Sequence, residues 1–162
     1  MDREKIIDCL NATKFSKKDF NISYRALNHY SEHGLIFENR QSKSSWRKLN
    51  GFDAIWLETL ILLRSIGISV DNIGRVKKNI FQYGSLGIVD KASYLTKSFH
   101  DEIVDSIFYE HKLYLVIFHD MTYSFHDSST SKQWKDYKYK DLLHLNIPLR
   151  GIIMSVYRRA SI

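Results

Sequence analysis

The sequence predicts an α+β fold: a mostly helical first half, then a connecting helix and a small antiparallel sheet with a C-terminal helix. Three observations lead there. Through most of the first half, apolar residues recur at steps of three and four, the period of a helix with one buried face. In the second half Leu113 to Phe118 form an unbroken apolar run, and Tyr123 and Phe125 alternate with polar neighbours, as strand residues do. The single proline, Pro148, suits the first turn of a last helical run.

The chain has 162 residues, room for one large domain or two small ones. Its 24 Lys and Arg against 18 Asp and Glu give a formal charge of +6, and the pI is about 9.3. The excess is lopsided. Residues 1–84 carry 14 cationic and 9 acidic side chains, net +5, whereas residues 85–162 carry 10 and 9, net +1. A basic half joined to a nearly neutral one suggests a polyanion-binding module, 1–84, followed by a domain with another task, 88–162. One cysteine, Cys9, leaves neither a disulfide framework nor a thiolate metal cluster within one chain. The opening Met1-Asp2-Arg3-Glu4-Lys5 is too charged for a signal peptide. The longest apolar runs, such as 55–63 interrupted by Glu58, are too short to cross a bilayer, so a cytoplasmic location is expected.

In order, residues 1–14 read as a short amphipathic helix with Ile6, Ile7 and Leu10 on one side. Residues 15–20 read as a second short helical piece, capped by Ser16 and anchored by Phe15 and Phe20. Asn21 turns the chain into a helix over 23–32. There Ser23 is the cap, because its hydroxyl accepts from the first free backbone N–H groups. Leu27 and Tyr30 fall on one face and are expected inside; Tyr24, Arg25, Asn28, His29 and Glu32 fall elsewhere and stay available. Gly34 sits where a left-handed residue closes a helix, with Leu35 and Ile36 returning to the core. Between Glu38 and Asp53 there is no acidic residue, yet Arg40, Lys43, Arg47 and Lys48 all occur, with Trp46 among them. That stretch reads as a hairpin whose tip offers unpaired donors to phosphate. A helix over 52–65 follows, with apolar residues at 52, 55, 56, 60, 63 and 66, then a break at Gly67. Ser69 caps a further helix over 70–82 with Val70, Ile73, Val76, Ile80 and Phe81 inward.

These segments resemble the winged helix-turn-helix DNA-binding domain of MerR-family transcription regulators. The family's valine-serine-x-arginine-threonine-leucine-arginine-tyrosine-tyrosine helix, then glycine-leucine, is similar to Ile22-Ser23-Tyr24-Arg25-Ala26-Leu27-Asn28-His29-Tyr30, then Gly34-Leu35. The end of its wing is similar to Ser45-Trp46-Arg47-Lys48-Leu49. Its leucine-arginine-x-leucine-glycine-phenylalanine-serine block is similar to Leu63-Arg64-Ser65-Ile66-Gly67-Ile68-Ser69. Asn28 stands where the family has an arginine, and Leu49 where it has an aromatic. The resemblance covers about 60 residues. It implies that Tyr24, Arg25 and His29 face a DNA groove and that Arg40 and Arg47 lie on the backbone, with Ser23, Asn28, Lys43, Trp46 and Lys48 completing the expected DNA-binding set.

In the second half, residues 89–109 read as one helix with the stripe Ala92, Leu95, Phe99, Ile103 and Ile107. It would serve as a dimer seam, as a cover for the sheet of its own chain, or as both. Residues 112–118 are apolar on both faces and read as the central strand. His119-Asp120 turns the chain, and 121–125 follow with Met121, Tyr123 and Phe125 inward. Residues 127–131 read as a loop, 142–147 as a third strand, and 149–159 as a final helix with Ile152, Ile153, Val156 and Tyr157 on its apolar side. Phe-His-Asp occurs at 99–101, 118–120 and 125–127, a set of metal-ligand or base residues whose spacing matches no ligand signature and reads as surface turns. The aromatic residues here, among them Trp134, Tyr137 and Tyr139, read as filling for a small sheet; in the family such residues line an effector pocket.

The expectation is therefore a bacterial-type, non-enzymatic regulator with no cofactor and no catalytic or metal-ligating residue. It would bind a promoter inverted repeat on double-stranded DNA as a homodimer and distort it before RNA polymerase, with a small-molecule effector as a further possible partner. Two alternatives stand beside it: an excisionase-like DNA-bending factor of a mobile element, and a ligand- or metal-binding role for the C-terminal half.

Overall fold

The computed structural model describes residues 2–12, 14–37, 48–82, 98–127 and 144–162. They form α1 (Arg3–Asn11), a 3-10 turn (Lys17–Asp19), α2 (Tyr24–Glu32), α3 (Gly51–Ser65), α4 (Val70–Gln82) and α5 (Phe99–Phe108). The strands β1 (Leu113–Phe118), β2 (Tyr123–Asp127) and β3 (His144–Pro148) and the helix α6 (Arg150–Ala160) follow. The fold is α+β, as expected. The chain divides into two compact units, Met1–Gly74 with Ile152–Ile162, and Arg75–Gly151. The domain boundary expected between 84 and 88 lies outside the described residues.

The first unit is built on α3. Phe52, Ala54, Ile55, Trp56, Leu57, Leu60 and Leu63 are all buried, so apolar side chains point to most sides of this helix, as a central helix requires. Asn50 caps it, its side-chain oxygen accepting from the Asp53 N–H at 2.8 Å. The helix closes before Gly67, whose φ of +94° suits glycine. Ile66, counted inward by the spacing, is the C-cap and is 48% exposed: with the last turn already closing, its side chain leaves the buried face. On α1, capped by Asp2, Ile6 and Leu10 are fully buried and Ile7 is half-buried.

Residues 15–20 differ from the sequence expectation. Phe15 makes a reciprocal backbone bridge with Leu49 (3.0 and 2.9 Å), which holds it in extended conformation. Only one 3-10 turn fits between it and Phe20. The Asp19 carboxylate fixes that turn by accepting from the N–H (2.6 Å) and the hydroxyl (3.1 Å) of Ser16. Phe15 and Phe20 are both buried, as expected, with ring centroids 6.2 Å apart.

The end of α6 belongs to this first unit, whereas the sequence groups the final helix with the second half. Arg159 explains the attachment. Its guanidinium pairs with Glu58, donates to the Asp19 carbonyl at 2.8 Å, and lies 5.4 and 5.9 Å from the Phe15 and Phe20 ring centroids. The Lys14 ammonium donates to the Ala160 carbonyl. Ile153, Val156 and Ala160 are the buried side of α6, with Ile152 and Tyr157 half-buried. On α4 the Ser69 hydroxyl accepts from the Asn72 N–H at 3.2 Å, and Ile73, Val76 and Ile80 are buried, while Val70 and Phe81 are half-buried.

In the second unit the sheet order is β2-β1-β3, antiparallel throughout, with Leu115 opposite Phe125 on one side and Ile147 on the other. Leu113, Leu115, Val116 and Ile117 are buried, so β1 is the central strand that its two apolar faces predict. α5 begins at Phe99, not at 89. Ser98 is extended (φ −66°, ψ 161°), and its hydroxyl accepts from the Asp101 N–H at 3.1 Å, so a continuous helix through 89–109 is ruled out at that residue. Ala92 and Leu95 lie outside the described residues, as do Trp134, Tyr137 and Tyr139. Phe99, Ile103 and Ile107 are buried as expected, and the Phe99 ring meets those of Phe81 and Phe125 at 5.0 and 5.9 Å. Pro148 ends β3 opposite Tyr114 instead of starting a helix. β3 is an edge strand, where a residue without an N–H is tolerated.

Met121 also departs from expectation. It has φ +66° and lies in the turn before β2, its carbonyl accepting from the Asn79 side chain at 2.9 Å. The turn is held by Asp120, whose carboxylate accepts from the Thr122 hydroxyl (2.6 Å) and N–H (2.9 Å). Partial burial raises the Asp120 pKa, but these two hydrogen bonds and the neighbouring His119 charge outweigh it and hold the carboxyl below its ordinary range. A carboxyl with a depressed folded pKa contributes stability above its unfolded pKa and loses it as pH falls through the folded value. Asp120→Ala should therefore lower the unfolding midpoint in denaturant at neutral pH, and the gap to wild type should close as pH falls through the depressed pKa of this carboxyl. A gap that stays constant across the acid range would remove the charge from this account.

Among the described residues, no helix is long and apolar enough to cross a membrane, and no group of three or more His, Cys, Asp or Glu side chains is placed to hold a metal ion.

Candidate nucleic-acid interface

α2 is held at both ends. Ser23 is extended, and its hydroxyl accepts from the Ala26 N–H at 3.1 Å, which fixes where the helix starts. At the other end Gly34 takes φ +64°, and its N–H and that of Leu35 donate to the Ser31 and Tyr30 carbonyls at 2.9 and 2.8 Å. Leu35 and Ile36 then enter the core. The Leu35 carbonyl accepts from the indole Nε1 of Trp56 at 2.7 Å, so the exit of α2 is tied to the centre of α3. Leu27 and Tyr30 bury the inner face.

The outer face is what remains. Arg25, Asn28, His29 and Glu32 are all exposed, and at spacings of three and four they form one continuous strip. Tyr24 flanks it, 47% exposed. The Ser23 hydroxyl is committed to its cap as an acceptor but keeps its own hydrogen to donate. The sequence reading of this helix therefore holds residue by residue: cap, two buried positions, four polar side chains outside, glycine stop.

Of the five loop residues singled out from sequence, Lys48 alone is described. It is exposed and adjoins Leu49, which two backbone bonds to Phe15 hold beside the segment leading into α2. Leu49 itself is 3% exposed, a core residue. Arg40, Lys43, Trp46 and Arg47 lie outside the described residues.

Two residues of this region were not singled out from sequence. The Lys17 ammonium lies 5.1 Å from the Tyr24 ring centroid, a cation–π distance that brings a further positive charge to the start of α2. His33 packs its ring 4.2 Å from that of His29. The i, i+4 spacing of the two histidines was the available signal for the second. Nothing local announces the first, because it depends on how the 3-10 turn meets α2.

Electrostatically, the strip joins Arg25 and the nearby Lys17 with one carboxylate, Glu32, and two imidazoles. Arginine presents two donors that match the O6 and N7 acceptors of guanine, and asparagine a donor and an acceptor that match the edge of adenine, in a major groove. No protein-family model, curated protein or solved structure matches this chain.

Proposed function

We propose that the chain is a homodimeric, sequence-specific DNA-binding transcription regulator, acting at the nucleoid in the cytoplasm and not as an enzyme. The observation that carries this reading is the outer strip of α2: Arg25, Asn28 and His29 exposed together on a helix fixed by a cap, a glycine stop and the Trp56 bond. A rigid helix of this kind fits the major groove, where Arg reads guanine and Asn reads adenine. Lys17 and Lys48, with Arg40, Lys43 and Arg47, supply phosphate contacts that set register without reading sequence. Two copies related by a two-fold axis read an inverted repeat in a promoter. Distortion of that promoter, offset by phosphate contacts, changes what RNA polymerase meets.

Selection of bound duplexes from a random pool tests this directly, since winners should carry two symmetric half-sites. On the selected site, Arg25→Ala should cost about 1–3 kcal/mol and relax the preference at one position per half-site. Lys48→Ala and Arg47→Ala should weaken selected and unrelated duplexes alike, each flattening the salt dependence by about one ion. If Arg25→Ala weakens both classes of DNA equally, α2 does not read bases and the proposal falls. Winners with a single, asymmetric half-site would remove the dimer.

A further inference from the structure

His29 and His33 stand one helical turn apart at the C-terminal end of α2, and both are exposed. Their ring centroids are 4.2 Å apart, with the planes inclined at 57°. The Nδ1 of His33 lies 2.9 Å from the His29 carbonyl oxygen. A carbonyl oxygen only accepts, so Nδ1 carries the hydrogen, and the neutral ring keeps its lone pair on Nε2. An imidazole N–H given to a backbone carbonyl is the contact that sets the tautomer of a metal-bound histidine and raises its basicity. Histidines at i and i+4 on one helix face are also the spacing with which a helix offers two nitrogens to one ion.

The Phe-His-Asp copy on α5 lacks this geometry. In His100-Asp101 the two side chains are adjacent on a helix and do not face each other.

We propose that His29 and His33 together form a binding site for a divalent transition metal of the zinc, nickel or copper type. Imidazole suits these ions, whereas magnesium and calcium demand oxygen ligands. Water fills the remaining coordination positions. The place favours a cation for a second reason: the last turn of a helix is the negative end of the helix dipole. A bound ion would also cross-link that turn, so metal binding and the stability of α2 are coupled. The site depends on α2 alone and stands or falls apart from the DNA-binding reading.

The test is calorimetric titration of the full chain with Zn²⁺ and with Ni²⁺, paired with thermal melting followed by circular dichroism. Wild type should bind one ion at this site and melt at a higher temperature when loaded, while Mg²⁺ leaves the melting temperature unchanged. His29→Ala and His33→Ala should each weaken that binding at least about tenfold and abolish the metal-induced rise. His29→Gln and His33→Gln, which keep size and polarity, should do the same if alanine disturbs the helix end. His119→Ala should leave both readouts as in wild type. Binding that survives in the His29 and His33 variants, or a wild type that neither binds Zn²⁺ nor gains stability from it, overturns the proposal.

Discussion

Trp56→Ala should lower the stability of the first unit by about 3–5 kcal/mol, the range for deleting a large aromatic from a packed core. Against a typical total of about 5–15 kcal/mol, that loss leaves the unit close to unfolding. Two effects combine. Trp56 is fully buried near the middle of α3, so truncation opens a cavity among Phe52, Leu60 and their neighbours that the fixed backbone cannot close. The indole Nε1 is also the donor to the Leu35 carbonyl at 2.7 Å, in a buried setting where water does not replace it. Trp56→Phe separates the two, keeping most of the apolar volume but leaving that carbonyl without its donor, at a cost of about 1–3 kcal/mol. Denaturant unfolding followed by circular dichroism measures both variants. Because Leu35 is where the chain leaves α2, hydrogen exchange at the Leu35 and Gly34 amides should quicken in Trp56→Phe before global stability is lost. If Trp56→Ala costs under about 1 kcal/mol, α3 is not the centre of this unit.

What the sequence made legible and what it hid follow from the range over which each signal acts. α2 was legible because everything that defines it lies within it: the Ser23 cap, Leu27 and Tyr30 inside, and Gly34 at its close. The same holds for the span of α4 and for β1, whose two apolar faces require neighbours on both sides. The misplaced elements turn on partners far along the chain or on a local signal outvoted by periodicity. Ser16 does start a turn, held by the Asp19 carboxylate, but the bridge from Phe15 to Leu49 decides that it stays a single 3-10 turn. The stripe through Ala92, Leu95 and Phe99 suggests a face and says nothing about where a helix begins. The overlooked signal there was Ser98 with Asp101 three residues on, a capping pattern whose hydroxyl and carboxylate meet at 2.7 Å. Pro148 satisfies two readings, helix start and edge-strand end, and only the pairing with Tyr114 chooses between them. The periodicity of α6 gives its buried side but not its partner. That role falls to Arg159, whose partners Asp19 and Glu58 are remote in sequence. For the candidate interface the helical part was readable, while Lys17 and His33 were passed over because each matters through a neighbouring ring.

Gly51→Ala should destabilise the protein by about 1–3 kcal/mol, the cost of forcing extra volume into a filled contact. This runs against helix propensity, under which glycine to alanine gains about 1 kcal/mol. Gly51 is the first residue of α3, directly after the Asn50 cap. A Cβ there would lie 2.6 Å from Leu10 Cδ2, and 3.0 Å from both the Cα and the carbonyl oxygen of Leu10. The Leu10 side chain has rotamers to escape into; its backbone has none. Relief requires α1 to move away from α3, and that movement uncovers Ile6 and Leu10, both fully buried. Gly151→Ala is the internal control. Gly151 lies within α6 with nothing inside 4 Å of a built Cβ, so there propensity acts unopposed and a gain of up to about 1 kcal/mol is expected. The two substitutions are chemically identical and should have opposite signs in thermal or denaturant unfolding. Should Gly51→Ala stabilise as Gly151→Ala does, α1 would not be seated against the start of α3, and the burial of Ile6 and Leu10 would need another partner.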